Sequence, residues 1–390
     1  MTETRSDALR VIMYTKYVAP RYSGAGRQAL ALAAALRAQG VAITFLTEST
    51  AERPTSYEVD GFSIVPFFPA TDSTAPKPRR ALAFWRALQR LRRADVFHAH
   101  SAYAEASMLG LTARLAGLPS VLKVTMHHSD VNVGSSRLVG RVHRQMLLRQ
   151  NAIVAISSEI RSELLGIGVA DARIHAIPNG VDTRRFHPRA VPEIAERRAA
   201  LGLPDNAPVL LFVGILNARK NVGWLLDRWL EWPGHNRARL VLAGPSLVGE
   251  EALRRRVEQL AADPSSGVHW LGAVEHVEQL YPAADLLLLP SEAEGLPNVA
   301  LEAMASGVPV ALADGSGARD VLGPEATGGF LLPRGDQGAL AAVFTILEAA
   351  PEDLRVAGAA ARRRMEEEFA IERIAGRYVA LYQELVARDV

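Results

Sequence analysis

Short apolar runs alternate with stretches of helical periodicity along almost the whole chain, and no other feature narrows the fold so far. Leu9–Thr15, Val41–Leu46, Asp95–His98, Val121–Thr125 and Ile153–Ile156 read as strands. Between the first two, Ser23–Gln39 reads as a loop and then a helix, with Gly40 as its stop. A second series of strands runs through Val209–Val213, Leu240–Ala243, Val268–Leu271, Asp285–Leu289 and Val308–Leu312. Strands separated by helices argue for parallel sheets covered on both faces, so two successive series imply an α/β protein of two doubly wound domains. The break falls at Pro188–Pro208, a polar segment with four prolines. The expected division is 1–187, 188–368 and a helical tail, 369–390. Ligands of open α/β sheets sit beyond the carboxyl ends of the strands, and two such domains facing each other form one cleft.

The 390 residues suffice for two domains of ordinary size, and 49% apolar residues suffice for two cores. The absence of cysteine excludes disulfides, a cysteine–zinc site and a thiol nucleophile. The first ten residues are polar, which reads against a signal peptide, and no apolar run approaches a membrane span. A cytoplasmic protein is expected. Charge is uneven: residues 1–186 hold 24 Lys/Arg against 14 Asp/Glu, a net of +10, and the remainder holds 20 against 28, a net of −8. Such a basic half suits an anionic partner, or reflects arginine-rich composition alone. Nucleic acid is not among the expected partners.

The most informative segment is Pro290–Pro309, PSEAEGLPNVALEAMASGVP. A buried strand ends at Pro290, a polar loop follows, and Pro297 stands where a helix opens, with Gly307 as its stop. Backbone N–H groups at Leu296–Val299 then form an anion site, because the first helical turn has unpaired donors and a favourable dipole. Glu294 precedes that helix and Glu302 lies eight positions later. Beside an anion, carboxylates make sense as acceptors for hydroxyl groups such as those of sugars. By spacing alone they are equally well solvated acids.

This stretch resembles the signature of glycosyltransferase family 4, with Glu294, Gly295, Glu302, Ala303, Met304 and Ala305 in its places. The resemblance implies a retaining enzyme of GT-B fold, in which Glu302 binds the donor ribose and Glu294 contacts the transferred sugar. Gly295, Leu296, Pro297, Asn298 and Val299 complete the expected donor site. Ile177–Pro188, IPNGVDTRRFHP, resembles the family's exit from the first domain, through Asn179, Gly180, Asp182, Phe186 and Pro188. Tyr22–Arg27, YSGAGR, resembles its glycine-rich loop near the donor phosphates, with Ser23 in place of the first glycine and Gly24 as the expected contact.

His127 matches the family histidine near the sugar, and His100 is a weaker match. His98, His100, His127 and His128 together suggest a metal site by composition, but no acidic partner has ligand spacing, so no metal and no cofactor are expected. Lys220 in Leu211–Asn221, LFVGILNARKN, matches the lysine that holds the diphosphate. The family's usual arginine after the glycine is Ile215 here, and the neighbouring Arg219 is expected to supply the second cation, with a fork that spans two phosphate oxygens. His269–Glu278 resembles the region beside the base without specifying it, and the tail from Phe369 crosses back to the first domain by resemblance.

The expected activity is transfer of a sugar from a nucleotide-diphosphate sugar to a hydroxyl acceptor, in glycan, glycolipid or exopolysaccharide synthesis. The acceptor is undetermined: a sugar, a lipid-linked compound or a small molecule. Two other readings stay open. One is an epimerase or phosphorylase on the same architecture, the other a non-catalytic nucleotide-sugar-binding protein. Finally, 77–93 (KPRRALAFWRALQRLRR) holds seven basic residues and no acid, with Leu82, Trp85, Leu88 and Leu91 on one helical face. That pattern suits a peripheral contact with the inner membrane face, and equally a core-facing helix with a solvated basic side.

Overall fold

A computed structural model describes residues 8–18, 24–49, 55–69, 77–91, 94–101, 104–126, 137–315 and 317–388. The chain divides into two compact units, Met1–Gly180 with Ile371–Val390, and Val181–Ala370. The expected cuts lay at 187/188 and 368/369. Val181 bridges Ala370 in parallel, and its N–H donates to the Phe369 carbonyl at 2.9 Å, which ties both ends of the second unit together.

The first unit begins with β1 (Arg10–Tyr14), α1 (Gly24–Ala38), β2 (Ala42–Ser49), β3 (Tyr57–Val59) and β4 (Phe62–Pro69). It continues through α2 (Lys77–Arg90), β5 (Val96–Ala99), α3 (Ala104–Leu115), β6 (Ser120–Val124), α4 (Arg137–Leu147), β7 (Ala152–Ala155), α5 (Ser158–Gly166) and β8 (Ile174–Ala176). The strand order is β3-β4-β2-β1-β5-β6-β7-β8, parallel except for β3 against β4. The β3–β4 hairpin was not legible in the sequence, because β3 is short and β4 carries two prolines. β3 pairs β4 only as far as Ile64, so among the described residues Pro66 has no partner in β3 to deprive of an N–H. The β2–β4 register shifts at Thr47/Glu48, directly after the Thr47–Pro66 pair.

The second unit contains α6 (Val191–Ala200), β9 (Val209–Val213), α7 (Val222–Glu231), β10 (Arg239–Ala243), α8 (Glu251–Ala262), β11 (Val268–Trp270) and β12 (Leu286–Leu289). It ends with α9 (Asn298–Ala305), β13 (Val310–Ala313), α10 (Ala318–Leu322), β14 (Gly329–Leu332), α11 (Gln337–Ala349) and α12 (Pro351–Arg364). Its order, β11-β10-β9-β12-β13-β14, is wholly parallel and reverses direction between β9 and β12. Strands buried on both faces read as unbroken apolar runs, as in the Leu286–Leu289 quartet, where no residue is more than 2% exposed. Arg198 secures α6: its guanidinium donates to Asp285 at 2.8 Å and to the carbonyls of Ala283, Asp205 and Ala207. A five-residue π-turn, Met365–Phe369, then leads to α13 (Ile371–Arg388), which belongs to the first unit.

In the first unit the pleat of β5 separates two layers. Phe97 meets Phe84 of α2 edge-on at 5.2 Å, whereas the next residue, His98, stacks on Tyr378 of α13 at 5.1 Å. Hence α2 and α13 cover opposite faces of the sheet. α1 packs beside α13, and α3 packs on both α2 and α4.

Candidate functional site

In the second unit, β9 and β12 are neighbours whose connections diverge, so a crevice opens outside their carboxyl ends. Two loops fill its rim, 214–221 after β9 and 290–297 after β12. The first ends in a tight turn, Ala218–Lys220, because the Asn217 side chain accepts from the Lys220 N–H at 3.0 Å. Asn221 follows in the left-handed region (φ 54°), which asparagine tolerates, and starts α7. The second loop lies against the backbone of Gly317 (φ 74°), where a Cβ would stand 2.5 Å from the Gly295 carbonyl oxygen. Only glycine allows both that backbone angle and that approach.

Arg219 stitches the two loops together. Its carbonyl accepts from the Glu292 N–H at 3.0 Å, and its Nη1 donates to the Ala293 carbonyl at 2.5 Å and lies 3.2 Å from the Glu294 carboxylate. Lys220 Nζ donates to Glu294 Oε1 at 2.5 Å. Glu294 and Lys220 are 19% and 11% exposed at their side chains, so the pair is shielded without being sealed. One carboxylate between two cations leaves the corner with an excess positive charge. The repulsion expected between Glu294 and an anion is thereby removed. The sequence suggested that Arg219 offers its fork to phosphate; here its Nη1 is directed to the Ala293 carbonyl and Glu294.

α9 opens at Asn298 with Pro297 as its N-cap, and no side chain caps it. Leu296 and Pro297 are buried, so what this turn offers an anion is backbone N–H. Glu302 stands one turn further along, where the hydroxyl of the fully buried Tyr281 donates to its Oε2 at 2.6 Å. Phe186 packs edge-on against the Tyr281 ring at 5.9 Å. Nothing in the sequence pointed to Tyr281, because its relation to Glu302 exists only after β12 is placed. Ser291 was also missed. It is 6% exposed, its Oγ has no partner among the described residues, and with Glu294, Pro297, Leu312 and Gly315 it lines a small open notch.

In the first unit, Gly24 opens α1 and is exposed; a Cβ there would meet nothing within 4 Å, so internal packing does not demand glycine. His127 and His128 lie outside the described residues. His98 and His100 are buried beneath α13, at 0% and 1% exposure. His98 Nδ1 pairs with the Tyr382 hydroxyl at 2.7 Å, and the two imidazole rings lie 4.2 Å apart. Burial holds both well below the ordinary histidine range, with the nearby Lys123 adding to it. Among the described residues no group of three His, Asp or Glu is disposed to hold a metal ion.

The segment that joins the units has its own geometry. A Cβ on Gly180 would meet Ile371 Cα at 2.9 Å, Asp182 accepts from the N–H groups of Arg184 and Arg185, and Pro188 abuts Gly307. Arg362 Nη1 donates to the carbonyls of Thr183, Phe186 and Ala305, tying this exit to α9.

Comparison with known proteins agrees with this arrangement. Residues 22–185 match the family model Glycosyltransferase Family 4, and residues 207–348 match Glycosyl transferases group 1. Alpha-maltose-1-phosphate synthase of Mycobacterium tuberculosis is 29% identical over 316 residues, covering 75% of this chain and 80% of that protein. D-inositol 3-phosphate glycosyltransferase of Nocardia farcinica is 31% identical over 237 residues, covering 56% of this chain and 49% of that protein. Among solved structures, sucrose-phosphate synthase from Thermosynechococcus elongatus superposes with a TM-score of 0.79 at 24% identity, covering 97% of this chain and all of that one. HepE of Anabaena, in complex with UDP and glucose, gives 0.78 at 20% identity, covering 96% of this chain and 100% of that one. With both halves matched in order and the GT-B fold in common, the chain belongs to glycosyltransferase family 4 and is a glycosyltransferase.

Proposed function

We propose that the enzyme transfers a sugar, with retention, from a nucleotide-diphosphate sugar to a hydroxyl acceptor. The observation that carries this is the corner where Lys220, Arg219 and Glu294 meet beside the uncapped start of α9. The diphosphate lies against Lys220 and the first N–H groups of α9, which stabilise the charge that grows on the leaving oxygen. Glu302, held by Tyr281, accepts from the ribose hydroxyls, while Glu294 and Ser291 meet the sugar hydroxyls. The bond from C1 to the phosphate oxygen breaks, the acceptor oxygen bonds to C1 from the same face, and its proton passes to the departing phosphate. Gly24 and His127 are the proposed contacts from the first unit. A uridine donor is supported by HepE, whose structure holds UDP and glucose.

A thermal-shift and hydrolysis screen across UDP-, GDP- and ADP-sugars tests the donor. At 100 times its Kd the right donor adds about 2.7 kcal/mol, a rise in Tm of about 3 °C when the whole chain melts together. No shift and no hydrolysis with any of them discards the reading. The anomeric configuration of the product, read by NMR, decides retention.

Arg219 has a sharper test. Its contacts make it a positioning residue for the 290–297 loop. Arg219→Lys and Arg219→Ala should therefore lower kcat by about tenfold or more, with less change in donor KM, because one charge-assisted hydrogen bond is worth about 1.5–3 kcal/mol. Adding Ile215→Arg to Arg219→Ala should then restore little. Substantial recovery with that pair would instead assign Arg219 to the phosphates.

A further inference from the structure

The basic character of the first 186 residues has a single source. Residues 77–149 hold 13 Lys/Arg against 3 Asp/Glu, a net of +10, which equals the whole excess of that half. These residues span α2, α3 and α4, the helices stacked together on one face of the first sheet. Two members of the count are not at the surface: Lys123 is buried in β6, and Asp95 pairs with Arg10 at 3.5 Å.

The packing of α2 corrects the expected face. Phe84, Ala87 and Leu88 are buried, whereas Leu82 and Trp85 are 50% and 37% exposed. At 3.6 residues per turn, Trp85, Leu82, Arg86, Arg79 and Arg90 then fall on one continuous arc, opposite Phe84. All five are exposed, and among the described residues Arg79, Arg86 and Arg90 have no carboxylate partner. The core accounts for only part of this helix's apolar residues. On α3 and α4 the same mixture recurs, with Leu115 at 75% and Val142 at 51% exposure beside exposed Arg114, Arg141, Arg144 and Arg149.

We propose that this face of the first unit binds a bilayer surface rich in anionic lipid, with α2 lying in the interface. Arginine alone would suit any polyanion. Outward Leu82, Trp85, Leu115 and Val142 do not, because a hydrated polyanion gives apolar side chains no escape from water. A lipid surface does, accepting the apolar residues below the headgroups and the guanidinium groups among the phosphates. Tryptophan beside leucine and arginine is the composition of such interfaces. No described helix is long and apolar enough to cross a membrane, so the contact is peripheral.

The test is co-sedimentation of the full chain with phosphatidylcholine vesicles, neutral or mixed with phosphatidylglycerol. Binding is expected only to the anionic vesicles and should weaken as salt rises. The triple variant Arg79→Gln, Arg86→Gln, Arg90→Gln should bind about 100-fold more weakly, at roughly fivefold per arginine. Leu82→Ser with Trp85→Ser should lose about tenfold or more. The native chain gives an independent reading, because Trp85 is the one tryptophan before residue 224 among five. Anionic vesicles should shift tryptophan emission to the blue, and Trp85→Phe should abolish the shift while keeping the binding. Absent vesicle binding overturns the proposal. So does binding that is indifferent to Leu82 and Trp85 and matched by a soluble polyanion such as heparin, which would mark a purely electrostatic site.

Discussion

Glu302→Ala should weaken nucleotide binding by about 10- to 150-fold, and Glu294→Ala should cut turnover more than it cuts nucleotide affinity. Both figures follow from the loss of a hydrogen bond to a charged group, about 1.5–3 kcal/mol. The partners sharpen the difference. Glu302 accepts from the Tyr281 hydroxyl at 2.6 Å, so Tyr281→Phe should reproduce a fraction of the Glu302→Ala effect on affinity. Glu294 instead pairs with both Lys220 and Arg219. Its removal leaves two unpaired cations in the corner, which can hold a diphosphate more tightly while the sugar is misplaced. A fall in kcat with an unchanged or lower donor Kd is thus the expected signature of Glu294→Ala. Isothermal titration with the nucleotide diphosphate, alongside steady-state kinetics, separates the two residues. Near-wild-type kinetics in both alanine variants would remove them from the site.

Lys123→Met should stabilise the protein at pH 7 by roughly 3–5 kcal/mol, since each unit of pKa lowering by burial corresponds to about 1.4 kcal/mol. Lys123 is 2% exposed on β6, and its ammonium lies 5.9 Å from the centre of the Tyr378 ring on α13. Burial pushes its pKa down to about 7, against 10.5 for a free lysine. Between those values the unfolded chain binds the extra proton, so stability of the native protein should rise from about pH 7 to pH 10, by up to about 1.4 kcal/mol per pH unit. Below pH 7 both states carry the charge and the penalty is complete. The methionine variant should lose this slope, and its advantage should shrink towards pH 10. On the acid side, His98 and His100 stay neutral in the fold and charge when it opens, so stability should fall below about pH 6.5 in both proteins. Chemical denaturation at a series of pH values measures all of this. A native protein equally stable at pH 7 and pH 10 would show that Lys123 remains charged and compensated where it lies.

How much was legible varies with the range of the interaction. The strands that carry the crevice could be read because a buried parallel strand must be apolar throughout, and β9, β12 and β13 are, as is β10 after Arg239. The helix after Pro297 could be read because proline, glycine and helical periodicity are local signals, and α9 starts and stops beside them. The β3–β4 hairpin could not, since its proline is permitted only by where a neighbouring strand ends. Likewise, the buried face of α2 could not be told from a pattern in which Leu82, Phe84, Trp85 and Leu88 are all apolar. Which of them meets Phe97 depends on how the helix docks on the sheet.

The sequence by itself determined two parallel α/β units, the positions of Glu294, Glu302 and Lys220 after strands, and the family, because these rest on residue type, short-range order and spacing. The tertiary structure alone decided what those residues touch. It placed Lys220 and Arg219 on Glu294 across 74 and 75 positions of chain, and Tyr281 beneath Glu302. It also set Tyr382 against His98 across 284 positions. A side chain's partner at such separation is fixed by strand order and by the pleat of the sheet, and a linear sequence carries neither.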